Sequence, residues 1–323
     1  MPTYSVQIIV QSASVWTMTT NHVSFQTTDR LTLPGLLYEP SEPTRRVVIW
    51  LHGMGDSGVF YKPKLISALA ESLMKRGIAL LAFNNRGAHN SKMLYRDITG
   101  LPKPEQRYQA GTHYELITDC VKDIDGAVSY LQSRDYGTFY LAGHSTGANK
   151  ICVYDDLAKS NLFAKYVLAG PGDDVGLNYI DLGHKKFNIA LTYAQSAVKI
   201  GQPLKVMPIY SGMHPFSAQS AFDILNPDGS YNSFPYYEAV HGKLGQKTLF
   251  KEFRGIVKPT LVIAGSLDEA TASAGGATQA LEFIKVHTNK KADKSDFQLV
   301  PEADHSFHDY EAEFGERVAT WLN

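Results

Sequence analysis

Residues 139–147 read FYLAGHSTG, an apolar run that ends in the pattern Gly-x-Ser-x-Gly. A short, fully apolar run predicts a strand that is covered on both faces, and the helical spacing of residues 146–159 predicts a helix directly after it. The small residues Gly143 and Gly147 let the chain turn tightly between these elements, so that the hydroxyl of Ser145 projects above the sheet. We therefore predict that Ser145 is a nucleophile at the amino end of a helix, where the helix dipole favours negative charge.

Similar apolar runs recur along the chain and alternate with segments of helical spacing. This alternation predicts a doubly wound, mostly parallel α/β sheet. Ahead of these runs, Asp29 and Arg30 separate two strand-like stretches, which predicts an antiparallel hairpin at a sheet edge. The predicted strands are residues 47–51, 78–83, 139–143, 166–170, 260–265 and 297–300, and the predicted helices are residues 62–76, 112–134, 146–159, 275–288 and 309–322.

The alternation breaks between about residues 173 and 255. We predict an α/β core formed by residues 1–172 and 256–323, and a cap or lid formed by residues 173–255, with a helix near 181–199. The cap segment leaves the sheet at the C-terminal ends of the strands, and Ser145 points to the same edge. We therefore expect the cap to cover Ser145. Two or three cap aromatics are expected to line the site, and the others to form the cap's own core. These aromatics are Tyr179, Phe187, Tyr193, Tyr210, Phe216, Phe222, Tyr231, Phe234, Tyr236 and Tyr237.

A second glycine-containing stretch, LHGMG at residues 51–55, follows the first predicted strand of the parallel set. Loops of this kind let backbone N–H groups face a developing oxyanion. We predict the N–H groups of Met54 and Thr146 as the donors to that oxyanion. The histidines beside these motifs are interpreted as structural: His52 braces the glycine loop, and His144 packs or hydrogen-bonds beside the strand-to-helix turn.

Candidate acid and base residues follow the last two predicted strands. Asp268 and Glu269 come just after strand 260–265, and a carboxylate beyond the C-terminal end of a strand lies on the active face of such a sheet. We predict Asp268 as the acid, with Glu269 as the alternative. We predict His305 as the base in preference to His308, because His305 comes first after the last strand. The order Ser, Asp, His along the chain supports this assignment.

These motifs resemble the α/β-hydrolase superfamily, and most closely its capped esterase, lipase-like and serine-aminopeptidase-like branch. The resemblance covers about residues 23–321 and is carried by LHGMG, AFNNRG at 82–87, LAGHSTG, IAGSLDE and EADHSF. The second of these stretches departs from the D-x-R-G-H-G pattern of that branch, because Asn84 stands where Asp is common and the histidine is displaced to His89. Arg86 is therefore given a structural role, and His89 is given none.

The resemblance implies a serine hydrolase that cleaves a carboxylic ester. The cap aromatics expected at the site predict that this ester is small or medium-sized and partly apolar. The resemblance also implies an acyl-enzyme on Ser145 and no metal or organic cofactor. In this mechanism His305 removes the serine proton, and Asp268 fixes the tautomer of the imidazole. Two alternatives stay open: an amide, peptide or carbon–carbon bond hydrolase on the same triad, and a non-catalytic small-molecule receptor on this scaffold.

The composition of the 323-residue chain limits the classes of partner. Its net charge is −1 and no run of Lys and Arg stands out, so we do not expect nucleic acid binding. No stretch approaches the roughly 18 apolar residues of a membrane span, and residues 1–16 do not read as a signal peptide, which predicts a cytoplasmic protein. Cys120 and Cys152 lack metal-ligand spacing and are expected to be buried free thiols. The oligomeric state is left open.

Overall fold

The computed structural model describes residues 18–208, 215–292 and 294–323, and most of the strands in these ranges join in one eight-stranded sheet. The strands are β1 (Met18–Gln26), β2 (Thr32–Pro40), β3 (Arg46–Leu51), β4 (Ala79–Phe83), β5 (Lys92–Tyr95), β6 (Arg107–Ala110), β7 (Thr138–His144), β8 (Phe163–Ala169), β9 (Thr260–Gly265) and β10 (Ser295–Val300). Their order across the sheet is β1-β2-β4-β3-β7-β8-β9-β10, and β5 pairs with β6 separately. The strands from β4 to β10 in that order run parallel, whereas β1 and β2 are antiparallel to their neighbours. The predicted mostly parallel sheet is confirmed.

Helices cover both faces of the sheet, which explains why its inner strands are apolar. The helices are α1 (Pro63–Met74), α2 (Cys120–Gln132), α3 (Thr146–Leu157), α4 (Asp174–Lys199), α5 (Ala218–Leu225), α6 (Tyr236–His241), α7 (Lys251–Gly255), α8 (Ala277–His287) and α9 (Glu311–Leu322). In β3, Val48 and Trp50 pack on the side of α1 and α9, whereas Val47 and Ile49 pack on the side of α2, α3 and α8. Successive side chains of a strand point to opposite faces, so a strand covered on both faces must be apolar throughout.

The N-terminal hairpin also forms as predicted. Strands β1 and β2 pair antiparallel, with Gln26 opposite Thr32, and β1 lies at the edge of the sheet. Arg30 in the connecting turn adopts a left-handed backbone with φ 67°.

The prediction of a helix over residues 112–134 was wrong at its start, because α2 begins only at Cys120. The backbone before it is held by a distant segment: Thr112 N donates to His89 O at 2.8 Å, and His113 N donates to Asn90 O at 3.0 Å. These contacts hold residues 112 and 113 against the loop after β4, and Leu116 further along has an extended backbone with φ −108° and ψ 133°, which a continuous helix cannot contain. The neighbouring hairpin of β5 and β6 was not predicted.

Between β8 and β9 the described chain forms helices α4 to α7. Helix α4 begins at Asp174, earlier than the predicted start near 181, and changes direction at Gly183, where φ is 70°. The segment is attached to the core ahead of α5, where Ser217 N donates to His113 O at 2.7 Å. The division of the chain into a core and a cap at residues 173 and 255 stays a prediction.

Most aromatic residues of this segment pack into the hydrophobic core on the α2–α3 side of the sheet. Phe187, Phe216, Tyr231, Phe234 and Tyr236 are buried, and Tyr179, Tyr193, Phe222 and Tyr237 are partly buried. The expectation was that most of them form a separate core of the cap, whereas the structure places them in the same hydrophobic cluster as the sheet residues Val47 and Ile49. Tyr210 lies outside the described residues.

Two expectations drawn from composition can be compared with the structure. Cys120 and Cys152 are buried free thiols, as predicted. None of the helices in residues 18–208, 215–292 and 294–323 combines the length and the apolar composition that crossing a membrane requires.

Candidate active site

The turn between β7 and α3 holds Ser145 in a strained backbone conformation, with φ 56° and ψ −129°. Non-glycine residues rarely adopt a positive φ, and such strain concentrates at functional sites. Glycine is required on both sides, since a Cβ on Gly143 would collide with the carbonyl of Gly147, and a Cβ on Gly147 with that of Leu51. Ser145 N donates to Ala169 O at 2.9 Å, which fixes the turn to the end of β8. The serine is only partly buried.

The glycine loop after β3 lies directly against this serine. A Cβ on Gly53 would be 3.0 Å from Cβ and 3.5 Å from Oγ of Ser145. The backbone N–H groups of Met54 and Thr146 donate to no acceptor within the described part of the chain. Both predicted oxyanion donors therefore flank the serine with their N–H groups unused.

His52 supports this loop from below. Its Nδ1–H donates to Gly53 O at 2.9 Å, and its Nε2 accepts from Asn85 N at 3.1 Å. Burial, aided by the charge of Lys150, lowers the pKa of His52 well below its usual value, so the ring stays neutral and can both donate and accept. These contacts agree with the interpretation of His52 as a brace.

Asp268 and His305 form the hydrogen bond expected of an acid and a base. Nδ1–H of His305 donates to Oδ1 of Asp268 at 2.8 Å, and the same oxygen accepts from Ala270 N at 2.9 Å. The aspartate side chain is fully buried, whereas that of His305 is 15% exposed. Gly170 makes room for the pair, because a Cβ there would lie 3.1 Å from Oδ2 of Asp268 and 3.2 Å from Nδ1 of His305.

The alternative acid and base residues lie elsewhere. The carboxylate of Glu269 accepts from the backbone N of His305 at 3.0 Å and so holds the histidine loop rather than the imidazole. His308 pairs with Asp304 at 2.6 Å, and its side chain is 69% exposed. The structure thus brings Asp268 and His305 together and leaves the alternatives apart.

His305 is held next to the serine turn through the residue that precedes the serine. Nε2–H of His144 donates to the carbonyl O of His305 at 2.7 Å, and the two rings are 4.7 Å apart. Within the described residues, Ser145 Oγ forms no hydrogen bond to His305. Serine–histidine contacts of this kind are often looser without a substrate and tighten on binding.

Two polar residues near the serine were missed as site residues. Oδ2 of Asp174 accepts from Oγ1 of Thr146 at 3.4 Å, and the phenol of the buried Tyr231 lies beside the same threonine. Burial raises the pKa of Asp174 to about 6. A signal for Asp174 did exist, since it follows the C-terminal end of β8 just as Asp268 follows β9. Tyr231 appeared only as one cap aromatic among ten.

Arg86 has the structural role predicted for it. The guanidinium is buried and forms ion pairs with Asp29 at 2.9 Å, Asp123 at 2.7 Å and Asp119 at 3.3 Å. Burial opposes its charge, but the neighbouring carboxylates, Asp123 above all, outweigh this effect and raise the pKa of Arg86. The cluster fixes the loop after β4 to the hairpin turn at Asp29 and to the start of α2. In the described residues, no group of three His, Cys, Asp or Glu side chains is arranged to hold a metal ion.

Known proteins share the fold and the family pattern of this chain. The family model for serine aminopeptidase, S33, matches residues 42–313. No curated protein matches the chain. Among solved structures, Est1E from Butyrivibrio proteoclasticus, bound to ferulic acid, is similar with a TM-score of 0.61 and 15% identity, over 93% of this chain and 98% of that one.

Two further solved structures show the same fold. The esterase Pf2001 from Pyrococcus furiosus has a TM-score of 0.57 and 17% identity, over 94% of this chain and 90% of that one. The α/β hydrolase GrgF from Penicillium sp. sh18 has a TM-score of 0.58 and 14% identity, over 94% of this chain and 97% of that one. At these identities the likeness shows the fold alone, whereas the family model spans most of the chain. The chain therefore belongs to the serine aminopeptidase S33 family of α/β-hydrolases, a family of serine hydrolases.

Proposed function

We propose that the chain hydrolyses carboxylic esters, with Ser145 as nucleophile, His305 as general base and Asp268 as the acid that orients the base. The observation that carries the proposal is the 2.8 Å hydrogen bond between His305 Nδ1 and Asp268 Oδ1. The strained backbone of Ser145 beside an unused pair of N–H groups adds support. These residues follow β7, β9 and β10, whose C-terminal ends meet at one edge of the sheet.

The mechanism follows from the hydrogen-bond directions. Because the hydrogen on Nδ1 of His305 is donated to Asp268, the lone pair lies on Nε2 and accepts the proton of Ser145 as Oγ attacks the ester carbonyl. The N–H groups of Met54 and Thr146 stabilise the oxyanion. The imidazolium, stabilised by Asp268, then protonates the leaving alcohol. In the second half, His305 takes a proton from the water that attacks the acyl-enzyme and returns it to Oγ of Ser145 as the acid product leaves.

We also propose that residues 173–255 form a cap that shapes the substrate site. Asp174 and Tyr231 support this role, since both meet Thr146 directly after the nucleophile. A cap that places a carboxylate and a phenol among buried aromatics fits a small or medium-sized ester that is partly apolar.

Amide hydrolysis is the second candidate, because the matched family model is that of serine aminopeptidases. Ester hydrolysis is preferred because the similar structure Pf2001 is that of an esterase. A panel of p-nitrophenyl esters with acetyl to octanoyl chains, run beside aminoacyl p-nitroanilides, separates the two. We expect larger kcat/KM values on the esters. Turnover of the anilides alone would replace the ester proposal by the amide one.

Active-site labelling and paired variants test the assigned residues. A fluorophosphonate probe should label the parent chain and should not label Ser145→Ala. His305→Ala should abolish ester turnover, whereas His308→Ala, which alters an exposed histidine on the same loop, should retain it. Equal losses in the two histidine variants would contradict the assignment of the base.

A further inference from the structure

We propose that His144 is a positioning residue which, together with Lys62 and Asp56, holds the oxyanion loop, the nucleophile turn and the base loop in one arrangement. The inference rests on the proposed function, because it concerns how three catalytic segments stay in place. These segments come from distant parts of the chain. His144, Lys62 and Asp56 make the contacts that join them.

The first contact joins the nucleophile turn to the base loop. His144 directly precedes Ser145 and is 1% exposed. Its Nε2–H donates to the carbonyl O of His305 at 2.7 Å, and the ring of Phe307 packs edge-on at 6.1 Å. The backbone of the general base is thus bonded to the residue next to the nucleophile, so the base loop cannot shift away from the turn without breaking this bond.

The second contact fixes the state of the imidazole. Nζ of Lys62 donates to Nδ1 of His144 at 3.4 Å, which leaves the ring hydrogen on Nε2, where His305 requires it. Burial and the charge of Lys62 lower the pKa of His144 well below its usual value. The ring therefore stays neutral and keeps one donor and one acceptor nitrogen.

The third contact reaches the oxyanion loop. Lys62 Nζ forms an ion pair with Asp56 at 3.2 Å, and Asp56 N donates to Gly53 O at 3.4 Å across the turn that contains Met54. Lys62 itself has a left-handed backbone with φ 52° just before α1. A non-glycine residue keeps this conformation at a cost, which the two side-chain contacts help to offset.

The contacts of His144, Lys62 and Asp56 are expected to affect the position of the reacting groups more than the stability of the fold. An ion pair that is partly exposed, as that of Lys62 and Asp56 is, adds little to the free energy of folding. A displacement of about 1 Å at a reacting group, in contrast, lowers the rate by roughly 100-fold. Loss of the network should therefore change kcat much more than the melting temperature, and more than KM.

Four variants test this, with kcat, KM, fluorophosphonate labelling rate and melting temperature as readouts. His144→Leu removes both contacts and should lower kcat and the labelling rate by roughly 10- to 100-fold. His144→Gln keeps a donor and an acceptor at the end of the side chain and should recover most of that loss. Lys62→Met should lower kcat with little change in melting temperature. Lys64→Met, which alters an exposed lysine on α1, is the matched control and should behave as the parent chain does.

The outcomes separate the inference from the proposed function. If the parent chain shows no turnover and no labelling that depend on Ser145, the proposed function fails. If the parent is active but His144→Leu and Lys62→Met retain its kcat, or if His144→Gln is as slow as His144→Leu, the positioning role is overturned. Should His144→Leu fail to fold, the kcat of Lys62→Met is compared with that of Lys64→Met. A lower kcat in Lys62→Met supports the positioning role, and equal values overturn it.

Discussion

Replacing Ser145 by glycine and, separately, by alanine tests whether the turn at the candidate nucleophile stores strain. Both substitutions remove the hydroxyl, so both variants should lose ester hydrolysis by roughly 10⁴-fold or more. They differ in the Cβ atom, which alanine keeps and glycine lacks. The difference in stability between the two inactive variants therefore isolates the strain from the chemistry.

The expected magnitude follows from the backbone angles. A non-glycine residue at φ 56° and ψ −129° is held in a sparsely populated region, at a cost of about 1–3 kcal/mol. Glycine relieves that cost but loses about 0.5–1 kcal/mol through the greater freedom of the unfolded chain. The Ser145→Gly variant should therefore be more stable than Ser145→Ala, with a free energy of unfolding that is higher by about 1 kcal/mol. For 323 residues the unfolding entropy is about 0.7 kcal/mol/K, so the melting temperature should differ by about 1.5 °C.

Urea unfolding of the two variants side by side measures this difference, and scanning fluorimetry gives the shift in melting temperature. Ser129, an exposed residue within α2, provides the control because its backbone is helical. There Ser129→Gly should be less stable than Ser129→Ala by about 1 kcal/mol, the opposite sign. If Ser145→Gly proves no more stable than Ser145→Ala while the control behaves as expected, the turn is not strained and the reasoning fails.

Asp268→Asn should lower kcat/KM on esters by roughly 10⁴-fold, since it removes the acceptor that sets the imidazole tautomer. Glu269→Gln keeps an acceptor for the neighbouring backbone N–H and should retain most of the activity in the same assay. Arg86→Met should reduce the free energy of unfolding by about 3–5 kcal/mol, because it leaves the buried carboxylate of Asp123 without its cation; unchanged urea unfolding would contradict this. Burial raises the pKa of Asp223 from 3.8 to about 7, so the native state keeps a proton that the unfolded state releases, and stability falls as pH rises from about 4 to 7. Asp223→Asn should remove up to about 4 kcal/mol of that pH dependence, as measured by urea unfolding at pH 4, 6 and 8.

The parallel strands could be predicted because their signal is local. Strand β9 occupies the predicted residues 260–265, since both of its faces are buried and every residue had to be compatible with that burial. The start of α2 could not be predicted in the same way. Residues 112 and 113 carry a helical pattern, but the chain there is held against residues 89 and 90 and is extended at Leu116, and such tertiary pairing leaves no periodicity in the sequence.

In the candidate site, too, residues with a local signal could be predicted and contacts between distant segments could not. Ser145 was chosen by its motif between a strand and a helix, and Asp268 and His305 by their positions after strand ends; both rules need only local sequence. The hydrogen bond from His144 to the carbonyl of His305 joins residues 161 positions apart. From the sequence we could predict only that His144 packs or hydrogen-bonds beside the turn. Its actual partner depends on how two loops approach each other in the folded chain.

Adjacent acids at the start of α4 show how position decides the role of a residue. Asp173 is buried and accepts hydrogen bonds from Gly176 N at 2.8 Å, Tyr237 N at 2.6 Å and Ser273 Oγ at 3.0 Å. It therefore caps α4 and ties it both to α6 and to the turn that follows Asp268. With the start of α4 held in this way, Asp174 is carried to Thr146, beside the nucleophile. The segment that we propose as a cap is thus anchored by one carboxylate so that the next can accept a hydrogen bond from Thr146. A helix that began one residue earlier or later would turn Asp174 away by about 100°.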